Sequence, residues 1–270
     1  MIVLERSVRF VVNPPGLDGL GTNGYAANPP LRRLAPYHEL QVTCRGEIDP
    51  VIGYLINIKD IDEVVRECAL PRITSAVWAS PNDAAAGDPA WALFDLVESI
   101  GRNLSVPLAC LRWHITPFVS LQMDSATTDR VTLRIKFDFS ASHRLYVKEW
   151  SDEKNFEVFG KCAHPSGHGH NYELEPAIEL PAEASVHAAA ERIEVLVKSV
   201  VIDRFDHKHL DLDTAEFGDN GVNSTVENIA KVCFDLIEPA LQDELPEARL
   251  ASVTAWETPR TSATFVKPSR

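Results

Sequence analysis

Residues 38–48, HELQVTCRGEI, alternate polar and apolar side chains as a half-buried strand does; DPVIG supplies turn residues, and YLINI reads as the return strand of a hairpin. The pattern then changes period. IDEVVREC (61–68) spaces its apolar residues for a helix, and PAWALFDLVESIGRNL (89–104) repeats that spacing between a Pro near its start and Gly101 near its end. LACLRWHITPFVSLQM (108–123) is rich in strand formers and closes the first half. The second half offers the same order: VTLRIKFDFSAS (131–142) and YELEPAIEL (172–180) as strands, ERIEVLVKSVVIDRF (191–205) and STVENIAKVCFDLIEPAL (224–241) as helices, and ASVTAWETPRTSATF (251–265) as a final strand. Ser224 or Thr225, with Glu227 or Asn228 just beyond, starts the second helix, and STVE fits a capping box with Ser224 at the cap and Glu227 three residues on. Strand, strand, helix, helix, strand is an α+β unit, without the strict alternation that builds a parallel sheet.

The halves also resemble each other locally. His38-Glu39-Leu40 matches Tyr172-Glu173-Leu174, FDLVE (94–98) matches FDLIE (234–238), and RWHITP (112–117) matches AWETP (255–259), in the same order and at slowly growing offsets. The expectation is one unit present twice: residues 1–124, a polar linker over 125–130 within DSATTDR, and residues 131–270.

Length and composition agree with two folded domains. The 270 residues are 45% hydrophobic and 24% charged, which excludes a disordered or low-complexity chain. A formal charge of -13 argues against broad binding to nucleic acid or anionic lipid, because both depend on clustered cations. No apolar run approaches the ~20 residues that span a bilayer, and Glu5, Arg6 and Arg9 interrupt the first apolar stretch, so no membrane segment or signal peptide is expected and the location expected is cytoplasmic. Five widely spaced cysteines without a CxxC pair suggest neither a disulfide framework nor a cysteine zinc knot.

The chemistry concentrates in FGKCAHPSGHGHNYELE (159–175). His168 and His170, two apart, share one face if the segment is a strand, and His143 ends the preceding strand-like run. Three neutral imidazoles without a carboxylate or thiolate suit zinc with an open fourth position, although an HxH pair alone is more often two surface histidines on an edge strand. Cys162, six residues upstream, is a thiol placed to serve as base or nucleophile. In RFDHKHLDLD (204–213), Asp206 beside His207 is a candidate acid–base pair, while the whole cluster also reads as a solvated helix end. Glu257 is a carboxylate in an apolar strand, and a ring edge with two N–H donors would satisfy it.

Taken in order, FSASHRL, FGKCAHPSGHGHNYELE, FDHKHLDLD, NSTVENIA and AWETP resemble the 6-pyruvoyl-tetrahydropterin synthase family over about residues 131–268. The resemblance implies zinc held by His143, His168 and His170, a catalytic triad of Cys162 with Asp206 and His207, and a pterin anchored by Glu257, with Thr225 and Glu227 along its pocket. It implies the substrate 7,8-dihydroneopterin triphosphate, which loses triphosphate as its side chain is rearranged. Two other readings stay open: the related 6-carboxytetrahydropterin synthase of queuosine biosynthesis, and a non-catalytic zinc-binding scaffold. The five residues between Cys162 and His168 fit the pyruvoyl-forming members better. The basic residues nearest these motifs, Arg144, Lys148, Lys154 and Lys161, are the candidates to meet the triphosphate.

The fold implied is the T-fold, an antiparallel four-stranded sheet with two helices on one face, here in tandem. The family's G-x-I-D-P-x-x-G hairpin signature stands in the first half, as GEIDPVIG (46–53), and not in the second. The first half has no HxH and no Asp-His pair, and it carries His114 near the position that Glu257 takes in the second, so it reads as a degenerate copy. Family members close their sheets into barrels, with Cys from one subunit and Asp-His from its neighbour. The expectation is therefore a homo-oligomer of three chains in two stacked barrels, one catalytic and one inert.

Overall fold

The computed structural model describes residues 1–14, 16, 25–78, 88–218 and 220–267. They form two compact units, Met1–Leu133 with Leu180–Ala188, and Arg134–Glu179 with Ala189–Arg270.

In the first unit, β1 (Ile2–Val11), β2 (Tyr37–Gly46), β3 (Leu108–His114) and β4 (Val119–Asp124) pair antiparallel in that order. Alternation sends Val8, Phe10, Leu40, Val42, Leu111 and Trp113 to the buried face. Helices α1 (Ile58–Val77) and α2 (Pro89–Asn103) bury the stripes Ile61, Val65, Ala69, Ile73 and Leu93, Leu96, Val97, Ile100. Their caps are local: Asn57 and Asp88 accept from the backbone N–H groups of Lys59 and Ala90, and Pro89 opens α2 where its missing N–H costs nothing.

Three expectations change here. The partner of β2 is the N-terminal strand β1 and not YLINI, which is irregular up to the start of α1. Ten register pairs to β1 outweigh a short return strand. Residues 108–123 are two strands of a hairpin. The linker expected at 125–130 is a two-residue turn, Ser125-Ala126, followed at once by β5 (Thr127–Ile135), which runs across the division between the units. Its polar residues are hairpin chemistry, not linker chemistry.

His38 is 4% exposed, and Trp113 Nε1 donates to its Nδ1 at 3.2 Å, so the ring is neutral with its proton on a buried Nε2. Burial pushes its pKa down to about 4. An unfolded histidine protonates near pH ~6.5, so the contribution is complete above that value and is lost as pH falls toward 4, by about 3 kcal/mol. Urea denaturation at pH 7 and pH 4.5 should show this loss, smaller in His38→Gln.

The second unit has β6 (Phe137–His143), β7 (His168–Pro181), β9 (Arg249–Thr258) and β10 (Thr261–Val266), antiparallel in the order β10-β9-β7-β6. The two-residue strand β8 (Lys208–His209) adds to β6 in parallel and forms the edge. Residues 131–142, one strand by pattern, break at Lys136 between β5 and β6, and residues 251–265 fold back as the β9–β10 hairpin. Helices α3 (Asp152–Phe159), α4 (Val186–Val197) and α5 (Val226–Glu244) complete the fold. The helix expected over 191–205 starts earlier, at Val186, and loosens into a π turn at Lys198–Ile202. Buried residues of α5, among them Ile229, Phe234, Ile237 and Leu241, face β9 and β10. The segments that match between the halves lie at the start of β2 and in the middle of β7, in α2 and α5, and at the ends of β3 and β9. Among the described residues, no helix is long and apolar enough to cross a membrane.

Candidate metal centre

The register of β6 on β7 pairs His143 with His168, Ala141 with His170 and Phe139 with Tyr172. Side chains two apart share a face, so His143, His168, His170 and Tyr172 all project to one side. The ligand atoms of the three histidines lie within 4.8 Å of one another. His143 Nε2 is 3.1 Å from His168 Nε2. Glu257 enters from β9, one register position beyond the Glu173–Trp256 pair, and its Oε1 lies 3.4 Å from His143 Nε2 and 3.6 Å from His170 Nε2.

Two of the imidazoles, His143 and His168, are biased toward the neutral form a metal needs. Burial pushes the pKa of His143 down, and His168 and His170 add to this, while the Ser224 carbonyl and Glu257 oppose it. His168 is pushed down by burial and by His170, against Glu257. His143 is fully buried, and its Nδ1 lies 2.8 Å from the Ser224 carbonyl oxygen, which fixes the proton on Nδ1 and turns the Nε2 lone pair toward the cluster. His170 Nε2 is buried with no hydrogen-bond partner. Converging lone pairs and an orphaned ring nitrogen are what a bound cation would relieve, and three imidazoles leaving a fourth position suit zinc. Gly167, at φ +65°, lets the chain enter β7 this closely: a Cβ there would stand 2.8 Å from the His143 carbonyl oxygen and from His209 Nε2.

Cys162 sits in a 3-10 turn, Gly160–Ala163, that follows α3. The turn is tied to the chain leaving His143, because Leu145 N donates to the Cys162 carbonyl at 2.9 Å and Arg144 Nε to the Ala163 carbonyl at 2.8 Å. Arg144 also stacks on Tyr146 and approaches Asp152, so its guanidinium is already committed.

Asp206 and His207 lie at the sheet edge. Asp206 Oδ1 accepts from Ser140 N at 2.9 Å, and Oδ2 is 2.8 Å from His207 Nδ1. These contacts, Ser140 first, hold the Asp206 carboxyl below its usual range. His207 is held at φ +57° and its side chain is 82% exposed. No hydrogen bond or ion pair joins this pair to Cys162 within the chain, among the described residues. A cavity of about 430 Å³ beside the pair is lined by Ser140, Ser142, Asn171, His207 and His209.

The cap of α5 is Thr225, not Ser224: Thr225 Oγ1 accepts from Asn228 N at 3.4 Å. Ser224 is buried instead and spends its hydroxyl on Asp211, at 2.7 Å. Glu227 is exposed in the first turn, where a carboxylate is favoured by the helix dipole. Since the Ser224 carbonyl meets His143, the start of α5 adjoins the metal centre.

The profile of the 6-pyruvoyl tetrahydropterin synthase family matches residues 132–268, half of the chain and all of these side chains. The chain belongs to the 6-pyruvoyl tetrahydropterin synthase family. Human 6-pyruvoyl tetrahydrobiopterin synthase is 41% identical over 126 residues, 46% of this chain and 82% of that protein. The structure of Caenorhabditis elegans 6-pyruvoyl tetrahydropterin synthase covers 52% of this chain and 96% of its own, at 31% identity and a TM-score of 0.44. Uricase from Arthrobacter globiformis covers 98% of this chain and 92% of its own at 8% identity and a TM-score of 0.51, a likeness of fold alone.

One residue of this 6-pyruvoyl tetrahydropterin synthase family member went unnoticed in the sequence. Tyr172 is fully buried against His143, His170 and Phe139, and its hydroxyl has no hydrogen-bond partner. Burial raises its pKa, with Glu257, Asp211 and Cys162 adding to the effect. The available signal was its position, two residues after His170 on the same strand face. An unsatisfied buried hydroxyl costs about 1–3 kcal/mol. Tyr172→Phe is therefore expected to stabilise the metal-free chain by up to about that amount in urea denaturation.

Proposed function

We propose that the protein is a zinc-dependent pterin synthase that acts on 7,8-dihydroneopterin triphosphate and eliminates triphosphate. The observation that carries this reading is the convergence of His143, His168 and His170 with Glu257 in a chain of this family. Held by the three histidines, zinc supplies Lewis acidity toward oxygen atoms of the substrate side chain. Cys162 removes the carbon-bound proton as thiolate, and the Asp206–His207 pair tunes that thiol and returns a proton. Glu257 accepts from the N–H edge of the pterin, which sets the substrate side chain beside the metal. Thr225 and Glu227, at the start of α5, line the pterin pocket.

Asp206 and His207 stand on an open sheet edge, with His207 mostly exposed. This supports a site completed by two chains, with Cys162 of one meeting Asp206–His207 of its neighbour in a homo-oligomer of three chains. The first unit, which lacks the three histidines, is read as a non-catalytic copy of the same fold, and the protein is placed in the cytoplasm.

Incubation with 7,8-dihydroneopterin triphosphate and identification of the products is the test. A 6-pyruvoyl product with released triphosphate supports the reading. A 6-carboxy product assigns the related queuosine-pathway reaction, and zinc bound without turnover assigns a scaffold.

A further inference from the structure

We infer that Asp211 is a positioning residue of the metal centre, a clamp that fixes the tautomer and aim of His143. The inference rests on the reading of His143 as a metal ligand. In the sequence Asp211 belongs to a cluster that also reads as a solvated helix end, yet its side chain is only 19% exposed and both of its oxygens are used. Oδ2 accepts from the backbone N–H of Arg144, the residue after His143, at 2.7 Å. Oδ1 accepts from the Ser224 hydroxyl at 2.7 Å, and the carbonyl of that same Ser224 meets His143 Nδ1.

One carboxylate thus ties down both ends of a short loop of contacts: the backbone that carries the imidazole and the carbonyl that orients it. Ser224 needs this tie. It lies in irregular chain before the Thr225 cap, so the helix ladder does not hold its carbonyl in place. Asp211 itself is anchored, because the one-turn helix Leu210–Asp213 follows β8 directly and Ser142 pairs with His209. A carboxylate presents an acceptor at both positions. An Asn in its place would set an NH2 group against the Arg144 N–H or force the Ser224 hydroxyl to turn.

Zinc affinity of the purified full chain, measured by competition with a chromogenic chelator, tests the clamp. Asp211→Asn is expected to bind zinc about 10–100-fold more weakly, and Ser224→Ala to weaken in the same direction. Asp213→Asn removes the same charge nearby but keeps an acceptor for the His209 N–H, and is expected to bind like the wild type. Nitrogen-15 NMR of the metal-free chain gives the second readout: His143 protonated on Nδ1 in the wild type, and a mixture of tautomers in Asp211→Asn. Unchanged zinc affinity in Asp211→Asn, an equal loss in Asp213→Asn, or an unchanged His143 tautomer would each overturn the inference. A wild type that binds no zinc would instead overturn the metal reading, and the tautomer measurement would still decide the clamp.

Discussion

Cys162→Ala is expected to lower turnover by about 10²–10⁴-fold, the usual contribution of a general base, while leaving the bound metal in place. The reasoning is positional. Cys162 is separate from the three converging histidines, and its turn is held to the chain after His143 by main-chain bonds that do not involve the thiol. Removing Sγ therefore removes a reagent and leaves the scaffold. Product assay with metal analysis of the same preparation checks both halves of the statement. Activity within a few-fold of the wild type would take the base away from Cys162. The oligomeric reading adds a sharper form: a mixture of Cys162→Ala chains with Asp206→Ala chains should recover part of the activity, because some interfaces would then contain one intact set of groups.

The second large effect is on metal binding. His168→Ala is expected to reduce zinc affinity by more than the about 10–100-fold that loss of an outer contact costs, so that dialysis against a chelator at pH 7 strips the variant and not the wild type. His168 is the better choice over His143, which is fully buried and holds the Ser224 carbonyl, so that its removal would also damage the packing. Acidification should act on the wild type through the same groups. His143 and His168 have pKa values pushed below the ordinary histidine value of ~6.5, so the neutral ligand forms persist below that pH. Metal is kept above it and lost as pH falls through the depressed values. Metal content across a pH series checks the direction, and release that begins well above pH ~6.5 would contradict it.

Much of the site is legible in the sequence because strand periodicity is a strict rule. The spacing of His168 and His170 puts both on one face, and His143 at the end of the previous strand becomes their partner once those strands pair. The α+β order is legible for the same reason, since the change from period two to helical spacing marks each transition. Hairpin pairing is less legible. YLINI has strand-forming residues, but pairing is decided by competition, and β1, 26 residues before β2 in the chain, wins by extent. The polar run at 125–130 matches a linker and a turn equally, because both favour Ser, Thr and Asp.

The sequence by itself determined the residue types of the centre, the faces on which they stand and the family in which they occur. The tertiary structure decided which polar groups serve the site and which merely cap or solvate. Ser224 and Thr225 both offer a cap on paper, and only the packing of α5 beside His143 gives the cap to Thr225 and sets the Ser224 carbonyl against His143 Nδ1. Asp211 is one acid among three in RFDHKHLDLD until the fold brings the Arg144 N–H and the Ser224 hydroxyl to its two oxygens. The physical reason is the same in each case. Periodicity fixes the direction of a side chain, whereas a hydrogen bond depends on what another element brings within ~3 Å, and that is a property of the folded chain.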